Sequence, residues 1–100
     1  MVYISNESGY YFSIHKDVWN LLDSDYLQRA GCYIHETKEL MYEFVAKWHN
    51  ISVDEVSGSE VIISVDESGN FYECDSQCNK TLIEVTDVYD LCDWLNIYKL

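Results

Sequence analysis

Four cysteines, three histidines and eighteen carboxylates are the side chains of this 100-residue chain that could do chemistry. Cys32 and His35 form a C-x2-H pair, and Cys74 and Cys78 a C-x3-C pair. Together they are the thiolate and imidazole donors that a structural zinc site uses, at permitted spacings. The pairs stand about forty residues apart and lack glycine-rich knuckles around them. Core or inert cysteines are the more economical expectation, because free cysteine is among the most buried residue types. Cys32 with His35 is also the skeleton of a nucleophile and base, but an orienting third group is missing from the pattern. Asp66-Glu67-Ser68-Gly69-Asn70 starts like a calcium loop. It departs from that pattern because glycine falls at the fourth position and Gln77 occupies the place of the bidentate glutamate. No P-loop, G-x-G-x-x-G or G-x-S-x-G is present, so no enzymatic activity and no cofactor are expected.

The carboxylates carry the stronger signal. Residues 51–100 hold eleven of them against two lysines, while residues 1–50 hold seven against four basic residues. No lysine or arginine occurs between Trp48 and Asn79. A net charge of −12 on so small a chain opposes compaction through self-repulsion. The excess therefore either serves solubility alone or binds something basic. The same balance argues against direct nucleic-acid binding, which rests on clustered cations, and against an anionic membrane surface.

The acids must be displayed by regular elements. Val2 to Ser5 and Tyr10 to His15 suit two strands around an Asn6-Glu7-Ser8-Gly9 turn. Asp17 can cap a helix carrying Val18, Leu21, Leu22 and Tyr26, with Gly31 as its stop. Thr37 can cap a second helix ending at His49-Asn50, whose apolar stripe is Leu40, Phe44 and Trp48 flanked by Met41 and Val45. Glu60 to Asp66 alternates as a strand, with Val61, Ile63 and Val65 on one face. A tight turn at Ser68-Gly69 would put Tyr72 opposite Val65 and Cys74 opposite Ile63 on the buried face, leaving Phe71, Glu73 and Asp75 outward. Thr81 to Val85 reads as a third strand of this group, with Ile83 and Val85 inward. Thr86 would cap a last helix with Val88, Leu91, Cys92 and Leu95 as its core face. The order ββααβββα predicts a single α+β domain over residues 1–100. It would have a small antiparallel sheet of about five strands and helices packed mainly on one face. With 48% hydrophobic residues the chain has material for a core and is no disordered acidic tail. The N-terminus has neither a basic region nor an apolar core of a signal peptide, and no run reaches membrane-spanning length. A soluble, cytoplasmic protein of a bacterial or infected host cell is expected, with its cysteines reduced.

On those elements Asp87, Asp90 and Asp93 would form a helical ridge, with Glu84, Glu73 and Asp75 beside it and Asp66 and Glu67 at a hairpin tip. Asp54 and Glu55 could extend the array. Acids three or four apart on a helix lie roughly 5–6 Å apart at Cβ. Acids two apart on a strand lie about 6.6 Å apart. Both spacings are close to that of successive phosphates along one strand. In size and charge the chain is similar to phage-encoded anti-defence proteins and nucleic-acid mimics, and equally to immunity proteins that neutralise nuclease toxins. That likeness implies a small inhibitor of a basic nucleic-acid-handling partner: a CRISPR effector, a nuclease or a restriction enzyme. A non-inhibitory adaptor, with zinc on Cys32, His35, Cys74 and Cys78, is the expectation from a different class.

Overall fold

Residues 1–98 are described by a computed structural model. Eleven elements follow one another: β1 (Val2–Ser5), β2 (Tyr11–Ile14), α1 (Lys16–Trp19), α2 (Ser24–Arg29), β3 (Tyr33–His35), α3 (Lys38–His49), α4 (Val53–Val56), β4 (Val61–Val65), β5 (Phe71–Cys74), β6 (Lys80–Leu82) and α5 (Val88–Ile97). The strands form one sheet in the order β3-β1-β2-β4-β5-β6. Every pairing is antiparallel except β2 with β4. The mixed α+β class read from the sequence is the class observed, with one strand more than expected.

Strand alternation divides the core in two. Ile4, Phe12 and Ile63 point to one face, where Val18, Leu27, Leu91, Cys92 and Leu95 from α1, α2 and α5 close over them. Tyr3 and Tyr11, each one residue out of phase, point to the other face and meet Met41, Tyr42, Val45, Ala46 and Val56 from α3 and α4. Helices thus cover both faces, and α3 takes the side that a one-sided arrangement would leave to solvent. The apolar stripe on α3 is rotated from its expected position. Met41 and Val45 are buried as read, but Leu40 and Trp48 are 46% and 47% exposed, and Tyr42 and Ala46 are buried in their place.

Three helix boundaries also differ. His15 rather than Asp17 caps α1, its Nδ1 accepting from the Asp17 N–H at 3.3 Å. The helix expected from Asp17 is two short helices, because Asp23 starts a new one by accepting a hydrogen bond from the Tyr26 N–H (3.1 Å). The cap of α5 is Asp87 rather than Thr86: its carboxylate accepts from the Asp90 N–H at 2.8 Å. Thr37 caps α3 as its type and position foretold, taking the Leu40 N–H at 3.1 Å.

Three hairpin loops share one build. In Asn6–Tyr10, Asp66–Asn70 and Asp75–Asn79 the first residue's N–H donates to the fifth residue's carbonyl, at 2.9, 3.0 and 3.2 Å. The fourth residue's N–H donates back to the first carbonyl. The first side chain accepts from the N–H groups of the third and fifth residues at 2.9–3.0 Å. The fourth residue takes a left-handed backbone: Gly9 (φ 83), Gly69 (φ 86) and Cys78 (φ 65).

Candidate acidic interface

This loop corrects the register of the β4–β5 hairpin. A two-residue turn at Ser68-Gly69 would pair Val65 with Tyr72. Instead the Asp66 carboxylate collects the Ser68 and Asn70 N–H groups, the loop is three residues long, and Val65 pairs with Phe71. Ile63 then faces Glu73, and Cys74 faces Ile62. A one-residue slip moves every side chain to the other face. Phe71 is therefore in the core and Glu73 lies on the α5 side, lining a surface cavity of about 400 Å³ with Trp94, Ile97 and Tyr98. Tyr72 and Cys74 take the opposite face.

The eight acids singled out in the sequence do not form one row. Asp66 and Glu67 lie at one end of β5 and Asp75 at the other, separated by a strand length of about 17 Å. Glu84 returns to the Asp66 end, because the neighbouring Ile83 N–H donates to the Phe71 carbonyl (2.8 Å). The chain then enters α5, which carries Asp87, Asp90 and Asp93. Asp66, Glu67, Glu84, Asp87, Asp90 and Asp93 are thus grouped along one end and one helix, whereas Glu73 and Asp75 leave the group. Asp54 and Glu55 sit on α4, against the opposite face.

Two acids join that the sequence did not single out. Asp23 and Asp25 open α2, which packs against α5. The Tyr26 hydroxyl donates to the Asp93 carboxylate at 2.9 Å, and this bond holds the phenol above its ordinary pKa, with Asp87 adding its field. The buried Cys92 thiol is pushed up to about 11, first by burial and then by Asp93 and Asp23. The signal for Asp23 was available: an aspartate three residues before Tyr26 and ahead of an apolar helical pattern is a helix cap.

Most of these carboxylates are held in place. Asp66 accepts from the Ser68 and Asn70 backbones, the Asn70 amide and the Tyr72 hydroxyl, which hold it below the usual carboxylate range, the Asn70 backbone bond most of all. Asp75 is lowered in the same way, chiefly by the Asn79 backbone. Asp90 accepts from the Thr86 N–H (3.0 Å) and hydroxyl (3.4 Å). Glu67, Glu84 and Asp25 are exposed. Among the described residues the one contact of ion-pair length is His15 with Asp17 at 3.6 Å, so no lysine or arginine among them pairs directly with a carboxylate, although Arg29 lines a cavity with Asp93.

The cysteine constellations come apart in the fold. Cys32 enters the α5-side core, whereas His35 points to the other face, bonded to Ser5 Oγ (2.9 Å) and packed on Phe44. Cys32 and His35 thus lie on opposite faces of the β3 edge, and Cys74 and Cys78 lie beside the far edge strand β6. The zinc tetrad is not assembled, and neither is a Cys32–His35 dyad. Burial, with smaller contributions from Cys92 and Glu7, pushes the Cys32 thiol up to about 12, which keeps it protonated at neutral pH.

A second exposed surface was not foreseen. Tyr33, Phe44 and Trp48 stack in one cluster, with centroids 5.0 and 6.0 Å apart along the chain of contacts. His35 lies 5.0 Å from Phe44, and Ile34 and Leu40 are exposed nearby in sequence. It occupies the β3 edge and the outer stripe of α3, in the less acidic half of the chain.

No protein-family description, curated protein or solved structure matches this chain. No helix among the described residues is long and apolar enough to cross a membrane.

Proposed function

We propose that this chain is a small acidic inhibitor that occupies the basic nucleic-acid cleft of a CRISPR effector, a nuclease or a restriction enzyme and blocks substrate access. The observation that carries the reading is the grouping of Asp66, Glu67, Glu84, Asp87, Asp90 and Asp93, joined by Asp23 and Asp25, none of which forms an ion pair with a lysine or arginine of the described residues, although Arg29 lines a cavity with Asp93. Fixed carboxylates lose little freedom on meeting arginines and lysines, so the binding geometry is largely set beforehand. Charge of one sign speeds encounter with a basic partner and makes association sensitive to salt. The cytoplasm, where such enzymes work, is the compartment this reading requires.

The test is capture of partners from host lysate with the tagged chain at low and high salt, with DNA and RNA as competitors. Recovery of a basic nucleic-acid-handling protein, displaced by salt and by nucleic acid, is the expected result. A nuclease toxin in that place would make the chain an immunity protein using the same surface. Capture that resists salt and competitor would move the interface to the Tyr33–Phe44–Trp48 surface and overturn the mimic. The site is tested by reversing Asp25, Glu67 and Glu84 to lysine, since Asp87 and Asp90 also hold the start of α5 and their loss would confound folding with binding.

A further inference from the structure

The β5–β6 loop carries a residue that its own geometry argues against. Its two sister loops place glycine at the left-handed position, as Gly9 and Gly69. There an L side chain costs free energy that glycine does not. The third loop places Cys78 there, at φ 65. Unlike asparagine, cysteine has no short amide to make that conformation locally favourable. Such strain persists where something else gains from it.

What the loop brings back toward the cysteine is a second thiol. Cys74, the last residue of β5, donates to the Asp75 carbonyl at 3.6 Å, and the closure of the loop by Asp75 and Asn79 returns Cys78 toward that end of the strand, close enough for its thiol to act on the Cys74 thiol. Cys78 is exposed and Cys74 half-buried, while Cys32 and Cys92 are sealed in the core. The four cysteines are therefore two kinds: an accessible pair at a loop, and two that solvent does not reach.

We propose that Cys74 and Cys78 are an oxidisable dithiol that closes into a disulfide across the β5–β6 loop by exchange with a small-molecule disulfide. The Cys78 thiolate attacks one sulfur of R–S–S–R. One R–S⁻ leaves and takes up a proton, and Cys78 carries the mixed disulfide. The Cys74 thiol then gives its proton to solvent, and its sulfur attacks the Cys78 sulfur and expels the second R–S⁻, which is protonated in turn. Two protein thiols are oxidised to one disulfide and the small disulfide is reduced to two thiols. The order follows from the surroundings. Burial, then Cys78 and Asp75, hold the Cys74 thiol above its ordinary value, with Lys80 opposing them, so the exposed Cys78 reacts first. In a reducing compartment a pair of this kind is a transient sensor rather than a staple.

The test treats the full chain with oxidised glutathione, quenches in acid, alkylates and maps peptides. The expected product is a Cys74–Cys78 disulfide, two hydrogens lighter, with Cys32 and Cys92 alkylated only after unfolding. Cys74→Ser should stop at glutathione on Cys78. Cys78→Ser should take up glutathione at Cys74 at least about tenfold more slowly than wild type does at Cys78. Cys78→Gly, the residue of the sister loops, should fold and form no internal disulfide. Free thiols at 74 and 78 after treatment, a mixed disulfide that never closes, or equal uptake at Cys74 in Cys78→Ser would each overturn the proposal.

Discussion

Three loops of one geometry make a controlled experiment inside a single molecule. Consider Gly69→Ala, Gly9→Ala and Cys78→Gly. At Gly69 a new Cβ meets nothing within 4 Å, so only the left-handed backbone opposes it. That strain is about 1–2 kcal/mol. Against it stands the lower entropy of an unfolded chain with alanine, worth about 0.4–1 kcal/mol. The net is a loss of about 0.5–1 kcal/mol. At Gly9 the same strain is joined by a clash. The Cβ would overlap the His49 ring and lie 2.8 Å from Trp48 Cδ1. His49 cannot swing away freely, because its Nε2 is bonded to the Gly9 carbonyl at 2.9 Å. Overpacking of this kind adds about 1–3 kcal/mol, for a total of about 1.5–4 kcal/mol. Cys78→Gly runs the first calculation backwards and should stabilise the chain by about 0.5–1 kcal/mol.

The assay is urea unfolding in reductant, so that no disulfide contributes, with the slope m compared across variants. For a domain of this size each kcal/mol moves the thermal midpoint by about 4–8 °C, so the order Cys78→Gly, wild type, Gly69→Ala, Gly9→Ala should also appear on heating. Equal losses at Gly9 and Gly69 would refute the clash. A destabilised Cys78→Gly would show that contacts of the Cys78 side chain outweigh its backbone strain.

The Tyr42 hydroxyl donates to Glu60 at 2.7 Å and accepts from the Gly58 N–H at 3.1 Å. Tyr42→Phe should cost about 1–2 kcal/mol in urea unfolding, because both partners lose a bond. Burial first, then Glu60, pushes this phenol up to about 12. Its folded value lies above its ordinary 10, so its contribution to stability is intact below pH 10 and drains as pH rises through about 12. Unfolding midpoints measured up that range should fall more steeply for wild type than for Tyr42→Phe. Leu40→Ser should change stability by less than about 0.5 kcal/mol, while Leu91→Ala should cost about 2–5 kcal/mol. Comparable losses would restore Leu40 to the core. Cystamine, a cationic disulfide, should oxidise Cys78 faster than anionic glutathione disulfide, and added salt should narrow the gap. A ratio that ignores salt would mean the acidic field does not reach the loop.

Much of the fold was legible where one physical signal acted alone. Thr37 could only be a cap, and Val88, Leu91, Cys92 and Leu95 admit one buried face of α5. The errors arose where two signals were equally good. Leu40–Phe44–Trp48 and Met41–Val45 are adjacent stripes of the same period, and only the side on which the sheet lies chooses between them. The hairpin register turned on whether Asp66 belongs to the strand or collects the loop's N–H groups, a choice made by its carboxylate rather than by hydrophobic alternation. β3 was hidden because Tyr33-Ile34-His35 is too short to show a period. Of the acids, the grouping of Asp66, Glu67 and Glu84 with α5 depends on the long-range Ile83–Phe71 bond, which no local pattern encodes.

The remaining question is whether the acids are present only because loops and caps require them. The molecule holds its own controls. Asn6 builds the same loop as Asp66 and Asp75, accepting the same two N–H groups with a neutral amide. Thr37 caps α3 with a hydroxyl where Asp23 and Asp87 cap their helices with charge. Asparagine and aspartate serve such positions about equally well. The geometry therefore accounts for an oxygen at each place but not for its charge. Asp66→Asn with Asp75→Asn tests that separation. The double variant should keep the loops and the fold. Because both carboxylates are held below their ordinary range, wild type has the greater stability above that range and loses the advantage as pH falls through the folded values. The two urea midpoints should thus differ at neutral pH and converge in strong acid. Under the proposed function, removing the charge at 66 should also lower retention of the captured partner at low salt, and removing it at 75 alone should not, since Asp75 lies at the far end of β5. Equal loss from each single variant would mean that net charge, rather than a placed group of carboxylates, draws the partner.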